Sequence, residues 1–252
     1  MATKPTFVLV PGSFSKPEFY DNIVELIRTK GYEIQVVAIV TVGKKPGMPP
    51  SMYDDAAVIS EAVTKYADEG KDVVLLAHSY GGIPITESMK DVSKTNREKA
   101  GEKGGVVRLG YMTCLVPSVG MSAGALIASA NAPATENFEG WLHIQSAEVA
   151  AAIVFNDLPL EDGVTLANKF SQHSGVSFDN ELTYAGYNDV PVSYLFCEND
   201  KCVPVEVQQK GIENIEASSG NKVEVTKIST DHCPMVGKPD LVVDWIVGLS
   251  GK

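Results

Sequence analysis

No stretch of this 252-residue sequence is apolar for anything near the ~18 residues a membrane-spanning helix needs. The opening Met1-Ala-Thr-Lys-Pro-Thr leads into four apolar residues, Phe7 to Val10, before Pro-Gly, which suits neither a secretory leader nor a transit peptide. No membrane partner is expected, and cytoplasmic residence is. Positive charge is scarce: 21 Lys and Arg stand against 32 Asp and Glu, a net charge of −11, which argues against nucleic acid as a partner. No Asn stands two residues before a Ser or Thr, so N-glycosylation has no acceptor. The four cysteines (Cys114, Cys197, Cys202 and Cys233) lack the paired short spacings of a zinc site, and a chain this long needs no disulfide staples. They read as reduced structural thiols, and no metal is expected. What remains, with 44% hydrophobic and 21% charged residues, is enough for a substantial core and too apolar for disorder.

Short apolar runs alternate with helical patterns, which predicts an α/β protein with a mostly parallel sheet covered on both faces. The runs are Phe7–Val10, Ile34–Ala38, Val73–Ala77, Val106–Tyr111, Val192–Cys197 and Val223–Ile228, each reading as a buried strand. Helices are predicted at Glu18–Lys30, Asp54–Glu69, Tyr80–Lys90, Pro204–Ala217 and Pro239–Leu249. Gly43–Pro50 and Ser93–Gly105 read as mobile loops. The rhythm fails between Met112 and Asp189, where small-residue helix material appears at Ala123–Ala130 and Ala147–Val154. The organisation expected is therefore a core in two parts, 1–112 and 189–252, with a cap inserted over 113–188. An insertion on the carboxyl side of such a sheet is where an α/β enzyme keeps a lid.

The most informative decapeptide is Val73-Val-Leu-Leu-Ala-His-Ser-Tyr-Gly-Gly82, a buried strand running into small-x-Ser-x-Gly and then a helix. Ala77 and Gly81 permit the strained strand-to-helix turn that lifts Ser79 clear of the sheet as a nucleophile. A serine nucleophile needs a base, and the chain has four histidines. His78 adjoins the serine, so its side chain should point elsewhere. His143 and His173 lie in the insertion, where a lining or surface role is the ordinary one. His232, in the loop after the last strand, can reach back over the carboxyl edge. The third member should follow the preceding strand, where Asp200 is the candidate and Glu198 the alternate. The chain order Ser79, Asp200, His232 is that of the α/β-hydrolases. An oxyanion hole needs two backbone N–H groups. Tyr80 offers one, and the Pro11-Gly-Ser-Phe loop offers the other through Ser13, with Phe14 as fallback. That loop lacks both G-x-G-x-x-G and a Walker lysine, so no phosphate-bearing cofactor is expected there.

Phe7-Val-Leu-Val-Pro-Gly, Ala77-His-Ser-Tyr-Gly-Gly, Cys197-Glu-Asn-Asp-Lys-Cys-Val-Pro and Asp231-His-Cys-Pro-Met, in this order, resemble the α/β-hydrolase superfamily. More narrowly, the chain resembles the branch of plant methylesterases and hydroxynitrile lyases, and most closely fungal hydrolases of secondary metabolism. The resemblance implies a cofactor-free triad enzyme with a small helical cap, often a homodimer. It assigns Ser79 as nucleophile, His232 as base and Asp200 as orienting acid. Two departures stand out: the usual first-loop histidine is Pro11 here, and the lysine that hydroxynitrile lyases carry after the catalytic histidine is Cys233.

The leading expectation is a serine hydrolase that cleaves a carboxylic ester or lactone of a small aromatic or polyketide-like molecule. Phe14, Tyr80, Trp141, Phe155, Phe170 and Phe178 are the aromatics expected to line its apolar pocket, or else to pack the cap. Two other classes share the scaffold. One is a non-hydrolytic enzyme that uses His232 as base for C–C cleavage, elimination or cyclisation, and the other is a ligand receptor without turnover.

Overall fold

Each of the six apolar runs forms a strand, and side-chain alternation along the strands divides the core between two faces. In the computed structural model, which describes residues 4–128 and 133–251, the chain opens with β1 (Thr6–Val10). A 3-10 turn at Pro17–Tyr20 then leads into α1 (Asp21–Thr29). There follow β2 (Ile34–Val36), α2 (Met52–Asp68), β3 (Asp72–His78), α3 (Gly82–Val92), α4 (Lys94–Lys99) and β4 (Gly105–Met112). The insertion contributes α5 (Ala123–Ile127), β5 (Thr135–Phe138), β6 (Trp141–Ile144), α6 (Ala147–Val154), α7 (Leu160–Ala167), β7 (His173–Ser174) and α8 (Val176–Asp179). The core resumes with β8 (Val192–Cys197), α9 (Val205–Ser219), β9 (Glu224–Ile228), α10 (Pro234–Gly237) and α11 (Pro239–Gly248).

The six core strands make one parallel sheet in the order β2-β1-β3-β4-β8-β9. On one face Val8, Val10, Leu75 and Tyr111 pack with Ile59, Ile83, Met89 and Ile212 of α2, α3 and α9. On the other Phe7, Leu9, Val74 and Leu195 pack with Ile23, Ile27, Val242 and Ile246 of α1 and α11. This is the period-2 consequence of strand geometry in a sheet covered on both sides. The edge strands depart from the expectation of full burial: β9 is mostly exposed and β2 is buried only at Ile34, because each has a neighbour on one side alone.

Two other expectations are corrected. Ser93–Gly105 is not simply a loop: Ser93 caps α4 by accepting from the Asn96 N–H, and buried Arg97 pairs with Asp68 at 2.6 Å and Glu102 at 3.0 Å. The high charge density that suggested a mobile loop is spent on these ion pairs. The insertion is also not purely helical, since β5, β6 and β7 form an antiparallel three-stranded sheet beside its helices. Within it, Ala147–Val154 is a helix as expected. The helix expected at Ala123–Ala130 extends to Ile127, and its last two positions lie outside the described residues. The first three residues of the chain, read above for a leader, also lie outside them.

Candidate active site

The segment after β3 turns sharply enough to hold Ser79 at φ 53°, a left-handed conformation rare for a residue with a Cβ. The turn fits because the two glycines that follow have no side chain. A Cβ on Gly81 would lie 2.7 Å from the Pro11 carbonyl oxygen, and one on Gly82 would lie 2.6 Å from that of Leu115. The elbow is thus threaded between the end of β1 and the segment after β4, with the Leu115 N–H donating to the Ser79 carbonyl at 3.1 Å.

His232 Nε2 lies 3.0 Å from Ser79 Oγ, and His232 Nδ1 lies 2.7 Å from Asp200 Oδ2. The other Asp200 oxygen accepts the N–H groups of Cys202 and Val203, both at 2.8 Å, which fixes the carboxylate. Glu198, the alternate acid, is exposed. A carboxylate can only accept, so the Nδ1 proton points at Asp200 and Nε2 is left to accept from Ser79. Burial opposes a charge on His232, but the adjacent Asp200 carboxylate outweighs it and raises the imidazole pKa well above its ordinary value.

The amides around Ser79 sort themselves by elimination. The Gly12 N–H donates to Tyr20 Oη at 3.0 Å, the Phe14 N–H to His173 Nδ1 at 3.5 Å and the Ser15 N–H to the Gly12 carbonyl at 3.4 Å. Among the described residues the Ser13 N–H has no protein acceptor, and Ser13 lines the cavity over Ser79. Phe14 is therefore set aside as the amide fallback. The Tyr80 N–H opens the 3-10 turn Ser79–Gly81, where the first amides have no acceptor within the turn.

A cavity of about 240 Å³ stands above Ser79 and is also lined by His232. Of the aromatics expected there, Phe14, Phe170 and Phe178 line it. Trp141, Phe155 and Tyr80 do not. Trp141 is buried in the insertion's sheet, Phe155 stacks behind Phe170 at 5.7 Å, and Tyr80 turns its hydroxyl to Asp55 at 3.0 Å. The remaining wall is mostly aliphatic (Leu115, Ile127, Leu142, Ile144, Val154), with His78, Thr135 and the thiols Cys202 and Cys233. Among the described residues, no Asp, Glu, Lys or Arg side chain is part of it. Burial, reinforced by nearby Asp231, pushes the Cys233 thiol far up, so it stays protonated.

Sequence reasoning missed or misplaced three groups. His78 does not point away: its ring centroid is 4.8 Å from that of His232, and its Nε2 lies 2.8 Å from the His232 carbonyl oxygen. His173 is buried and structural. Ser177 Oγ gives its proton to the Ser174 carbonyl, so His173 Nε2–H donates to Ser177 and Nδ1 accepts from Phe14. Burial lowers its pKa to about 3. Asp55 went unnoticed, because an acid in the first turn of a helix reads as a dipole partner. It is fully buried, accepts from Val40 N–H, Thr41 N–H, Thr41 Oγ1–H and Tyr80 Oη–H, and has its pKa raised to about 6 by burial. His143 lies against Phe138, away from the cavity.

A parallel sheet with a serine elbow, a histidine after the last strand and an acid after the preceding one defines an α/β-hydrolase. This chain belongs to the alpha/beta hydrolase family, whose pattern matches residues 7–245. It is 35% identical over 251 residues to a probable hydrolase of a Phoma species, covering 99% of both chains. It is 29% identical over 252 residues to an alpha/beta hydrolase of Aspergillus novofumigatus, covering 99% of this chain and 98% of that one. Methylesterase 1 of Arabidopsis thaliana is 24% identical over 274 residues, covering 99% and 97%. Among solved structures, polyneuridine aldehyde esterase superposes with a TM-score of 0.75 at 20% identity, covering 98% of this chain and 100% of that one. A pyrethroid hydrolase from Sphingobium faniae JZ-2 gives 0.76 at 18%, covering 99% and 98%. At these identities the structures speak for the fold alone. Among the described residues no helix is long and apolar enough to cross a membrane, and no group of three His, Cys, Asp or Glu could hold a metal ion.

Proposed function

We propose that this chain is a serine hydrolase that cleaves a neutral carboxylic ester or lactone of a small apolar molecule, aromatic or polyketide-like, through an acyl-enzyme on Ser79. The observation that carries this is the relay from Ser79 Oγ to His232 Nε2 at 3.0 Å and from His232 Nδ1 to Asp200 at 2.7 Å. Ser79 Oγ attacks the carbonyl carbon as His232 takes its proton, and the tetrahedral oxyanion is held by the amides of Ser13 and Tyr80. Collapse expels the alcohol, which takes the proton from His232. A water activated by the same imidazole then releases the acid and restores Ser79. The wall of the cavity, uncharged among the described residues, supports a neutral substrate, since a buried carboxylate or ammonium would find no counter-charge there. The hydrolase and esterase names of the fungal and plant relatives lean the same way.

The test is fluorophosphonate labelling, with the adduct mapped to Ser79 by mass spectrometry, alongside hydrolysis of a short 4-nitrophenyl ester. Ser79→Ala is expected to lose labelling and about 10⁴- to 10⁶-fold in kcat. Retention of more than about a tenth of wild-type turnover would overturn the nucleophile assignment.

A further inference from the structure

We propose that Tyr20 and His78 are positioning residues for this reaction, forming a strut that ties the oxyanion loop to the backbone of the catalytic histidine. The inference rests on the reading of Ser79 and His232 given above. The strut has three hydrogen bonds: Gly12 N to Tyr20 Oη at 3.0 Å, Tyr20 Oη to His78 Nδ1 at 2.9 Å and His78 Nε2 to the His232 carbonyl oxygen at 2.8 Å.

Its protons have one consistent arrangement. The His232 carbonyl can only accept, so His78 Nε2 carries a proton and donates it. His78 Nδ1 is then the bare acceptor of a neutral ring, and the Tyr20 hydroxyl must donate to it. The Tyr20 oxygen is thereby free to accept from the Gly12 N–H, which can only donate. Every donor has one acceptor and no group is left over. Both side chains are buried, which raises the Tyr20 pKa far above and lowers the His78 pKa far below their ordinary values, so both stay neutral. Neutrality suits a ring whose centroid lies 4.8 Å from the one that becomes imidazolium during turnover.

The two ends of the strut are the two parts whose alignment the reaction needs. Gly12 immediately precedes Ser13, whose amide faces the developing oxyanion. The His232 carbonyl belongs to the residue whose imidazole moves the proton. The packing leaves no slack between them, since a Cβ on Gly12 would lie 2.9 Å from His78 Nδ1 and 3.0 Å from Ser79 Cβ. Proton transfer and oxyanion binding are both sensitive to sub-ångström placement, so a loose strut should cost transition-state stabilisation rather than substrate affinity.

The experiment compares Tyr20→Phe, His78→Leu and His78→Gln on a short 4-nitrophenyl ester. Affinity is measured in parallel for a trifluoromethyl ketone, which Ser79 adds to, and for the matching unreactive methyl ketone. Tyr20→Phe is expected to lower kcat about 10- to 100-fold with KM within about twofold, and to weaken the trifluoromethyl ketone in step while the methyl ketone is unaffected. His78→Gln keeps one donor and one acceptor and is expected to recover most of what His78→Leu loses. If the wild-type enzyme hydrolyses the ester but Tyr20→Phe keeps kcat within about twofold, the strut is wrong and the serine mechanism stands. Equal weakening of both ketones by Tyr20→Phe would make the pair merely structural and would likewise overturn it. If the wild-type enzyme neither turns over the ester nor takes a fluorophosphonate, the underlying functional reading fails instead, and the strut with it. Should Tyr20→Phe not fold, the His78→Gln and His78→Leu pair decides by itself, and equal loss in both would sink the proposal.

Discussion

Asp157 and Asp231 exchange hydrogen bonds in both directions: the Asp157 N–H donates to Asp231 Oδ2 at 3.1 Å, and the Asp231 N–H donates to Asp157 Oδ2 at 2.8 Å. Asp157 follows α6 of the insertion and Asp231 immediately precedes His232, so this clasp joins the insertion to the loop of the proposed base. It also holds two carboxylates close together. Burial, and then the nearby Asp157 charge, raise the Asp231 pKa.

The clasp therefore stabilises through its hydrogen bonds and destabilises through like charge. Asp231 has its folded-state pKa raised, so stability falls as pH climbs from the unfolded value through the folded one. Asp157→Asn keeps an acceptor for the Asp231 N–H and removes the repulsion. It is expected to raise Tm at pH 7 by on the order of 1–3 °C and to leave it unchanged at pH 3. A lower Tm at pH 7, read by calorimetry, would show that the charge repulsion is negligible beside the hydrogen bond.

Only neutral His232 can accept the serine proton, so kcat/KM should rise with pH along a limb set by this residue. Because Asp200 lifts the imidazole pKa, that limb should lie above the ordinary histidine value of about 6.5. Asp200→Asn should move it to lower pH while reducing the plateau by roughly 10³- to 10⁴-fold, a loss smaller than that of Ser79→Ala or His232→Ala. A flat wild-type profile between pH 5 and 9 would refute the general-base role.

Asp55 makes a stability prediction that does not depend on catalysis. Its folded-state pKa of about 6 lies above the unfolded value of about 3.9, so between those pH values the folded chain holds a proton that the unfolded chain has lost. Stability contributed by this group is therefore full below pH 4 and declines up to pH 6. Asp55→Asn cannot titrate. Denaturant unfolding should show wild type losing roughly 2–3 kcal/mol relative to Asp55→Asn between pH 4 and 7. A pH-independent difference would mean that the hydrogen bonds from Thr41, Val40 and Tyr80 hold the carboxylate ionised throughout.

Cys233 lines the cavity where a hydroxynitrile lyase carries lysine, and among the described residues no cationic side chain of the cavity wall replaces that charge. Its thiol is held protonated and has no base of its own. Cys233→Ala should keep ester hydrolysis within about threefold, and the wild-type enzyme should release no cyanide from mandelonitrile above background. Robust cyanide release would reassign the reaction class. Loss of esterase activity in a folded Cys233→Ala variant would place the thiol among the catalytic groups.

The sheet, its covering helices, the elbow serine and the Ser79-Asp200-His232 order were all legible in the chain, because each is written in local chemistry. Buried strands are apolar runs, helices carry a 3.6-residue period, and the elbow needs small residues next to its serine. The three-stranded sheet of the insertion was not legible, since β5, β6 and β7 are two to four residues long and β6 and β7 pair across a gap that includes two helices. Nor could the sequence say which groups meet around the serine. Ser13 emerges as the free amide because the neighbouring Phe14 amide meets His173, 159 residues away. His78 faces inward because Tyr20 and the His232 carbonyl, 58 and 154 residues distant, supply its two partners. Trp141 and Phe155 are as aromatic as Phe170 and Phe178, yet lie behind the cavity wall rather than in it. Local sequence sets the backbone's course. The direction of a side chain is settled by whichever distant donor, acceptor or apolar surface the completed fold brings beside it, and here only the tertiary structure decided that.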